Sequence, residues 1–428
     1  MMNNFKLYPA ISILLVLLIT SNACGQSLDE YQSEAALNNP LLRATYNEYL
    51  AELQKAPQVS SLPDPEIAFA YFISPIETRL GPQKTRISAT QMFPWFGTLG
   101  DRETVSLLNA KAKFEVFQER RNQLFYNLEV LWGEIYKSEE QIRIANENLE
   151  IVNTLVNISL IKYETGLVPQ IDVLRAQIEQ EDIKTNIELL KDNQKLLIKR
   201  FNELRNVDPN SKITLPQSLP VEESILIEQE EWIALIRAQN PNLNQLRFKE
   251  EAANSNIDNA RNNGLPSFGI GLDYIATEER SDIPALTDNG KDAWIARLSI
   301  KVPIFRSKYR AQEEEARLQR AATQDRLEAR DNQILTDFYT ALKDIEDARR
   351  RFELFDQKQI QRIEQAVNIL LQSYANDNSQ FEEILRLERQ RFSYELERVI
   401  AHTDEFQSMS YLNYLSGAQN ITPQEINY

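Results

Sequence analysis

Few residues in this chain of 428 could do covalent or metal chemistry, and they do not gather in the sequence. The one histidine, His402, sits in the middle of a charged helical stretch, where a lone imidazole reads as a surface or satisfied side chain rather than a base or ligand. The one cysteine is Cys24. Acidic runs such as Glu313-Glu314-Glu315 fall at spacings typical of solvated helix faces. There is no Gly-rich phosphate loop and no Cys/His cluster with zinc spacing. Four methionines and one histidine offer little to a soft metal. No catalytic, cofactor-binding or metal residue is therefore assigned, and the sequence reads as that of a non-enzyme. A net charge of −16 makes nucleic acid an unfavourable partner and argues against an anion-selective passage. A solvated acidic helical surface would give the same charge.

The N-terminus reads as an export signal over residues 1–25. Lys6 is the only charge before an apolar core from Ala10 to Ile19, followed by small residues at Ser21-Asn22-Ala23. Two cleavage sites fit. Cleavage after Ala23 leaves Cys24 first, the arrangement of a lipoprotein, although Ser21 stands where a lipobox usually has leucine. Cleavage after Gly25, with Ala23 at −3, discards the only cysteine. In either case no disulfide forms. No later stretch approaches the roughly 18 consecutive apolar residues of a membrane helix, so any crossing must use β-strands.

Two long helical rods dominate the remainder. From Thr98 to Thr165 there is no proline, and a 4-3 alternation runs through Leu124, Leu128, Leu131, Ile135, Ile142, Ala145, Leu149, Val152, Val156 and Tyr163, with Ser138 and Ser159 at the seam's missing positions. That is a coiled-coil heptad pattern, and roughly 65 residues make a rod of about 100 Å. Ser307 to Ser379 lacks both proline and glycine, with an expected seam at Leu335, Phe338, Leu342, Ile345, Phe352, Ile363, Ala366 and Leu370. Each rod meets a turn and a return helix. The first turn is Gly166-Leu167-Val168-Pro169, with glycine suited to the position after a helix and proline to a helix start. The second is Asn376-Asp377-Asn378-Ser379, whose residues tolerate left-handed backbone and cap the next helix.

Four short segments alternate with period 2 and carry aromatics near their ends, at about 66–74, 86–93, 267–275 and 294–302. Ile67, Phe69, Tyr71 and Ile73 form one apolar row; Phe268, Ile270, Leu272 and Tyr274 form another. Such strands suit either a half-buried soluble sheet or a transmembrane β-wall. Four strands cannot close a barrel, for which about eight are the minimum, so strands in a membrane require subunits to share one.

The chain repeats itself. Asn39-Pro40 recurs 201 residues on as Asn240-Pro241, Leu62-Pro63 recurs at 203 as Leu265-Pro266, and Pro94 at 209 as Pro303. Tyr163, Asp172-Val173-Leu174 and Asn202-x-Leu204 recur at 211 as Tyr374, Glu383-Ile384-Leu385 and Asn413-x-Leu415. These offsets predict two repeats, at about 28–206 and 221–417, with insertions confined to the loops around the prolines and the long segments in step.

The ordered, duplicated set of motifs resembles the TolC-like outer-membrane efflux protein family. The residues that carry the resemblance are Leu62-Pro63-Asp64-Pro65, Gln91-Met92-Phe93-Pro94-Trp95-Phe96-Gly97, Tyr163-Glu164-Thr165-Gly166-Leu167-Val168, and Asp172-Val173-Leu174, with their second-half echoes. The resemblance implies a mainly α fold with a small β part. In that fold each subunit of a homotrimer gives four strands to a twelve-stranded outer-membrane barrel and two helical hairpins to a periplasmic tunnel. It also implies a periplasmic adaptor and an inner-membrane pump as partners, with the tips at Gly166 and Asp377 as docking points. Drug, metal and protein cargo all remain open. The family closes its periplasmic end with polar contacts at the helix tips, and Asp172, Tyr374 and Glu383 match such gate positions. Asp377 stands where glycine is usual, Ser379 where an arginine can reach Asp172, and Arg386 where a second acid can line the constriction. An Arg386–Glu383 pair at i,i+3 is expected to replace part of that network. The rival reading is a periplasmic coiled-coil adaptor or structural protein, which would carry one helical hairpin inserted into β domains rather than two separated by amphipathic strands.

Overall fold

The computed structural model describes residues 27–220, 228–283, 286–375 and 381–417. The export signal with Cys24, and the second tip with Asp377 and Ser379, lie outside the described residues. The first repeat opens with α1 (Leu28–Asn38), α2 (Pro40–Leu53) and α3 (Lys55–Ser60). It continues through β1 (Glu66–Thr78) and β2 (Gly81–Phe93) into α4 (Thr98–Glu164) and α5 (Gln170–Arg205). The second follows with α6 (Gln229–Gln239), α7 (Pro241–Asn263), β3 (Ser267–Thr277) and β4 (Ala293–Lys301). It ends with α8 (Arg306–Leu354), a π turn (Phe355–Gln359), α9 (Ile360–Ala375) and α10 (Phe381–Ser416).

The repeated Asn-Pro pair does the same work twice. Asn39 accepts from the backbone N–H groups of Leu41 and Leu42 and caps α2; Asn240 accepts from Asn242 and Leu243 and caps α7. Proline follows at the first helical position, where its missing N–H costs nothing. The remaining amide of each asparagine donates to the far end of its own return helix, Asn39 to the Leu204 carbonyl at 3.1 Å and Asn240 to the Leu415 carbonyl at 2.9 Å. The Asn-Pro pair and the Asn-x-Leu pair recur together because each needs the other.

The strands form one antiparallel sheet in the order β1-β2-β3-β4. The rows Phe69–Ile87–Tyr274–Trp294 and Ala89–Leu272–Ala296 lie in register across it. Ile67, Phe69, Ile73, Ile270, Leu298 and Ile300 are all more than half exposed, so the face is apolar and bare. β1 and β4 are its free edges. The first hairpin is longer than the alternation indicates. The register shifts between Tyr71 and Ile76, and pairing resumes at Ile76–Gln83, Glu77–Pro82 and Thr78–Gly81. Pro75, just past the strand expected at 66–74, sits at the irregularity on an edge strand, where its lost donor breaks no ladder. Thirteen residues exceed the roughly 9–11 that a tilted strand needs to cross a bilayer.

The helices stand on that sheet. α4 runs unbroken for 67 residues and packs on α5, α7 and α10, while α8 packs on α7 and α10. Tyr31, Phe117, Phe125, Leu128, Trp132 and Phe201 fill the first core, and Trp232, Leu243, Ile334, Phe338, Ile345 and Leu412 the second. The second rod buries Ile334, Ala341 and Ala348, while the expected Leu335, Leu342 and Phe352 are only partly buried. Nor do the rods stay in step. Buried pairs are 210 apart at Leu124/Ile334, Leu128/Phe338, Ile135/Ile345 and Ser138/Ala348, and 211 apart at Val152/Ile363. The extra residue lies between, where the chain forms the π turn, the usual way a helix absorbs one added residue without losing its phase. Insertion is therefore not confined to loops. Among the described residues no helix is long and apolar enough to cross a membrane.

Candidate gate at the helix tips

The first tip is built by backbone chemistry. Gly166 has φ +75, a conformation that costs glycine nothing. The N–H of Gly166 donates to Tyr163 and that of Leu167 to Lys162, which closes the end of α4 with two reversed bonds. Pro169 then sets the extended residue before α5, and Asp172 falls in the first turn, where the helix dipole favours an anion.

Asp172 is buried. Burial pushes its carboxyl above the ordinary range; the Arg175 guanidinium opposes that shift and Glu382 adds to it. Arg175 Nη1 lies 3.8 Å from Asp172 Oδ1 and only 2.9 Å from Glu382 Oε2 on α10, so Arg175 ties the return helix of one repeat to that of the other. One turn on, Arg389 of α10 pairs with Glu179 of α5.

Tyr374 is brought to the same place by α9. Its ring is buried against Phe381 at 5.4 Å between centroids, inside a cluster with Leu155, Ala176, Ile384 and Leu385. The Lys162 ammonium sits 4.1 Å from the ring centroid and donates to the Tyr374 backbone carbonyl, so α4 grips the last turn of α9 by a cation–π contact and a hydrogen bond together. The Tyr374 hydroxyl is enclosed and has no hydrogen-bond partner. Burial and the nearby Asp172 charge push it up to about 12, so it stays neutral. Beside it is a mainly apolar cavity of about 330 Å³ between α4 and α9, lined by Ile151, Leu155, Ile158 and Leu371.

Glu383 and Arg386 form the expected pair, bidentate at 2.6 and 2.9 Å. It is exposed, so Arg386 holds Glu383 below the ordinary range while water screens the attraction. The structure thus brings Asp172 and Tyr374 together without a hydrogen bond between them, and keeps Glu383 and Arg386 on the surface. Lys162, Arg175 and Glu382 are the tip residues that the sequence reading missed. Arg175 had a visible signal: Asp172-x-x-Arg175 recurs at offset 211 as Glu383-x-x-Arg386. Lys162 had none, since its partners are a ring and a carbonyl more than 200 positions away.

His402 lies between the rings of Tyr136 and Phe352, and burial holds its imidazole below the ordinary value. No group of three metal-ligating side chains occurs among the described residues.

Residues 232–391 match the family model of outer membrane efflux proteins, which are channels of the outer membrane and not enzymes. No curated protein matches the chain at a significant level. Solved structures match over most of its length. The Vibrio cholerae outer membrane protein VceC has a TM-score of 0.75 at 15% identity, covering 91% of this chain and 96% of its own. The Campylobacter jejuni CmeC channel has a TM-score of 0.73 at 16% identity, covering 92% and 86%. The Neisseria gonorrhoeae MtrE channel, solved in an open state, has a TM-score of 0.70 at 17% identity, covering 91% and 88%.

Proposed function

We propose that the chain is an outer membrane efflux protein, a reading supported by the family match over 232–391 and by the fold, and that three copies form a passive exit duct. The observation that carries this reading is the sheet: four strands with a bare apolar face and two unpaired edges. In lipid each unpaired edge group costs several kcal/mol, so β1 of one copy pairs with β4 of the next until the ring closes. Three copies supply twelve strands, and their rods continue the passage into the periplasm. The duct has no energy source of its own. A periplasmic adaptor and an inner-membrane pump supply the drive, with the adaptor meeting the helix tips around Gly166 and Asp377. Fractionation and gel electrophoresis test this: detergent-requiring, heat-modifiable trimers in the outer membrane support it, and a soluble periplasmic monomer contradicts it.

The tips close the duct in this reading. Lys162 holds α9 to α4 through Tyr374, Arg175–Glu382 and Arg389–Glu179 hold α5 to α10, and Asp172 and the Glu383–Arg386 pair complete the polar ring. Opening separates these helices, and a partner shifts the balance only by its preference for the separated state. In planar bilayers Lys162→Met with Arg175→Ala raises the open fraction several-fold. Tyr374→Phe, which removes only an unpartnered hydroxyl, does not. Unchanged conductance in the double variant would remove the gate from these residues.

A further inference from the structure

The apolar face of the sheet has a polar counterpart, and on it three charges converge from three strands. Asp273 at the middle of β3 is 1% exposed. It accepts from Arg86 of β2 and, at 3.3 Å, from Arg297 of β4. Both arginines are braced further along the wall, Arg86 by Ser88 at 3.2 Å and Arg297 by Thr90 at 2.9 Å. The strand beneath is cleared for them. A Cβ on Gly271 would stand 3.1 Å from Arg297 Nε and 3.2 Å from Thr90 Oγ1, closer than side chains normally approach. The arginine therefore lies across β3 where a longer residue would lift it off.

We propose that Asp273 sets the ion preference of the barrel lumen by holding Arg86 and Arg297 flat against the wall and cancelling part of their charge. The inference rests on the channel reading above, since only a closed barrel turns this face into a lumen. Twelve strands spaced about 4.8 Å apart and tilted about 40° give a backbone radius of roughly 12 Å. That is close to the Debye length of about 10 Å at 0.1 M salt, so charges on the wall act across the passage. Losing the aspartate charge adds one positive charge per protomer and three around the ring. Three charges about 10 Å from the axis, acting through water and screened over one Debye length, change the local chloride concentration about two-fold.

The test is the reversal potential of purified trimers in planar bilayers under a KCl gradient near 0.1 M. The same potential depletes potassium about two-fold, so Asp273→Asn is expected to raise the chloride-to-potassium permeability ratio about four-fold, and Arg86→Gln to lower it by a similar factor. The double variant returns the ratio to the wild-type value, and near 1 M salt, where the Debye length is about 3 Å, the differences vanish. Arg86→Gln keeps the test decisive where Asp273→Asn fails to assemble. Conducting trimers whose ratio is the same in every variant overturn the proposal. A wild-type protein that forms no conducting trimer overturns the channel reading, and this inference with it.

Discussion

In the first repeat a single helix of 67 residues runs from the sheet to the tip, whereas in the second the same path is divided by a π turn at Phe355–Gln359. On the sheet side of that turn the two rods are equivalent: Asn39 and Asn240 cap in the same way, and Leu128 and Phe338 fill matching places in the two cores. Beyond the turn they differ. Helix α10 braces the turn itself, through Phe355 against Tyr394 at 5.5 Å and Asp356 accepting from Arg398 at 3.2 Å. One residue added to an ideal helix rotates everything beyond it by about 100°, enough to turn a buried face outward. The π turn contains that error within one turn, so both rods still present apolar faces at the tip. The rods thus keep one phase on both sides of a one-residue insertion, because a single turn absorbs it.

The sharpest way to break this comparison is to delete one residue from each rod. Removing Lys358 returns the π turn to an α-helix with its phase intact, and trimers are expected to persist. Removing Asn146 from α4 rotates Val152 and Leu155 off their seam, takes apart the buried cluster at the tip, and should abolish heat-modifiable trimers on gels. Equal tolerance of both deletions would mean that phase does not govern the tip.

The caps give a smaller difference. Asn39→Ala and Asn240→Ala each remove a helix cap and a bond to the return helix, a loss of about 1–2 kcal/mol apiece. Asn240 is buried and Asn39 only partly so. The second substitution should therefore destabilise more, by about 1 kcal/mol in denaturant titrations, because buried groups are left unpaired.

The smallest effect concerns pH. Burial pushes Glu115 of α4 up to about 7, whereas Asp325, 210 positions on, is exposed. A carboxyl raised in the folded state keeps its proton where the unfolded chain has lost it. Its contribution is complete below the ordinary value near 4.5 and disappears as pH rises through about 7. Thermal midpoints should fall across that window, and Glu115→Gln should flatten the fall.

Periodicity made the rods and the strands legible in the sequence, because each buries or bares one face over many residues. The alternation of Phe69 and Tyr71 or of Ile270 and Leu272 cannot be read as helix. The π turn was hidden because Phe355–Gln359 contains nothing unlike its neighbours; only the change from 210 to 211 between buried pairs marks it. The extension of β1 past Pro75 was hidden because proline ends most strands but not an edge strand at an irregularity. At the tips, Asp172 and Tyr374 could be picked out only by the family resemblance. The groups that hold them, Lys162 and Glu382, depend on tertiary contacts that no local pattern encodes.

The sharing of one barrel by three chains is the claim on which the rest depends, and native mass spectrometry of the protein extracted from outer membranes tests it most directly. Four strands per chain and twelve per barrel require a complex of three mature chains. A dominant species of one, two or four chains in mild detergent would contradict the account.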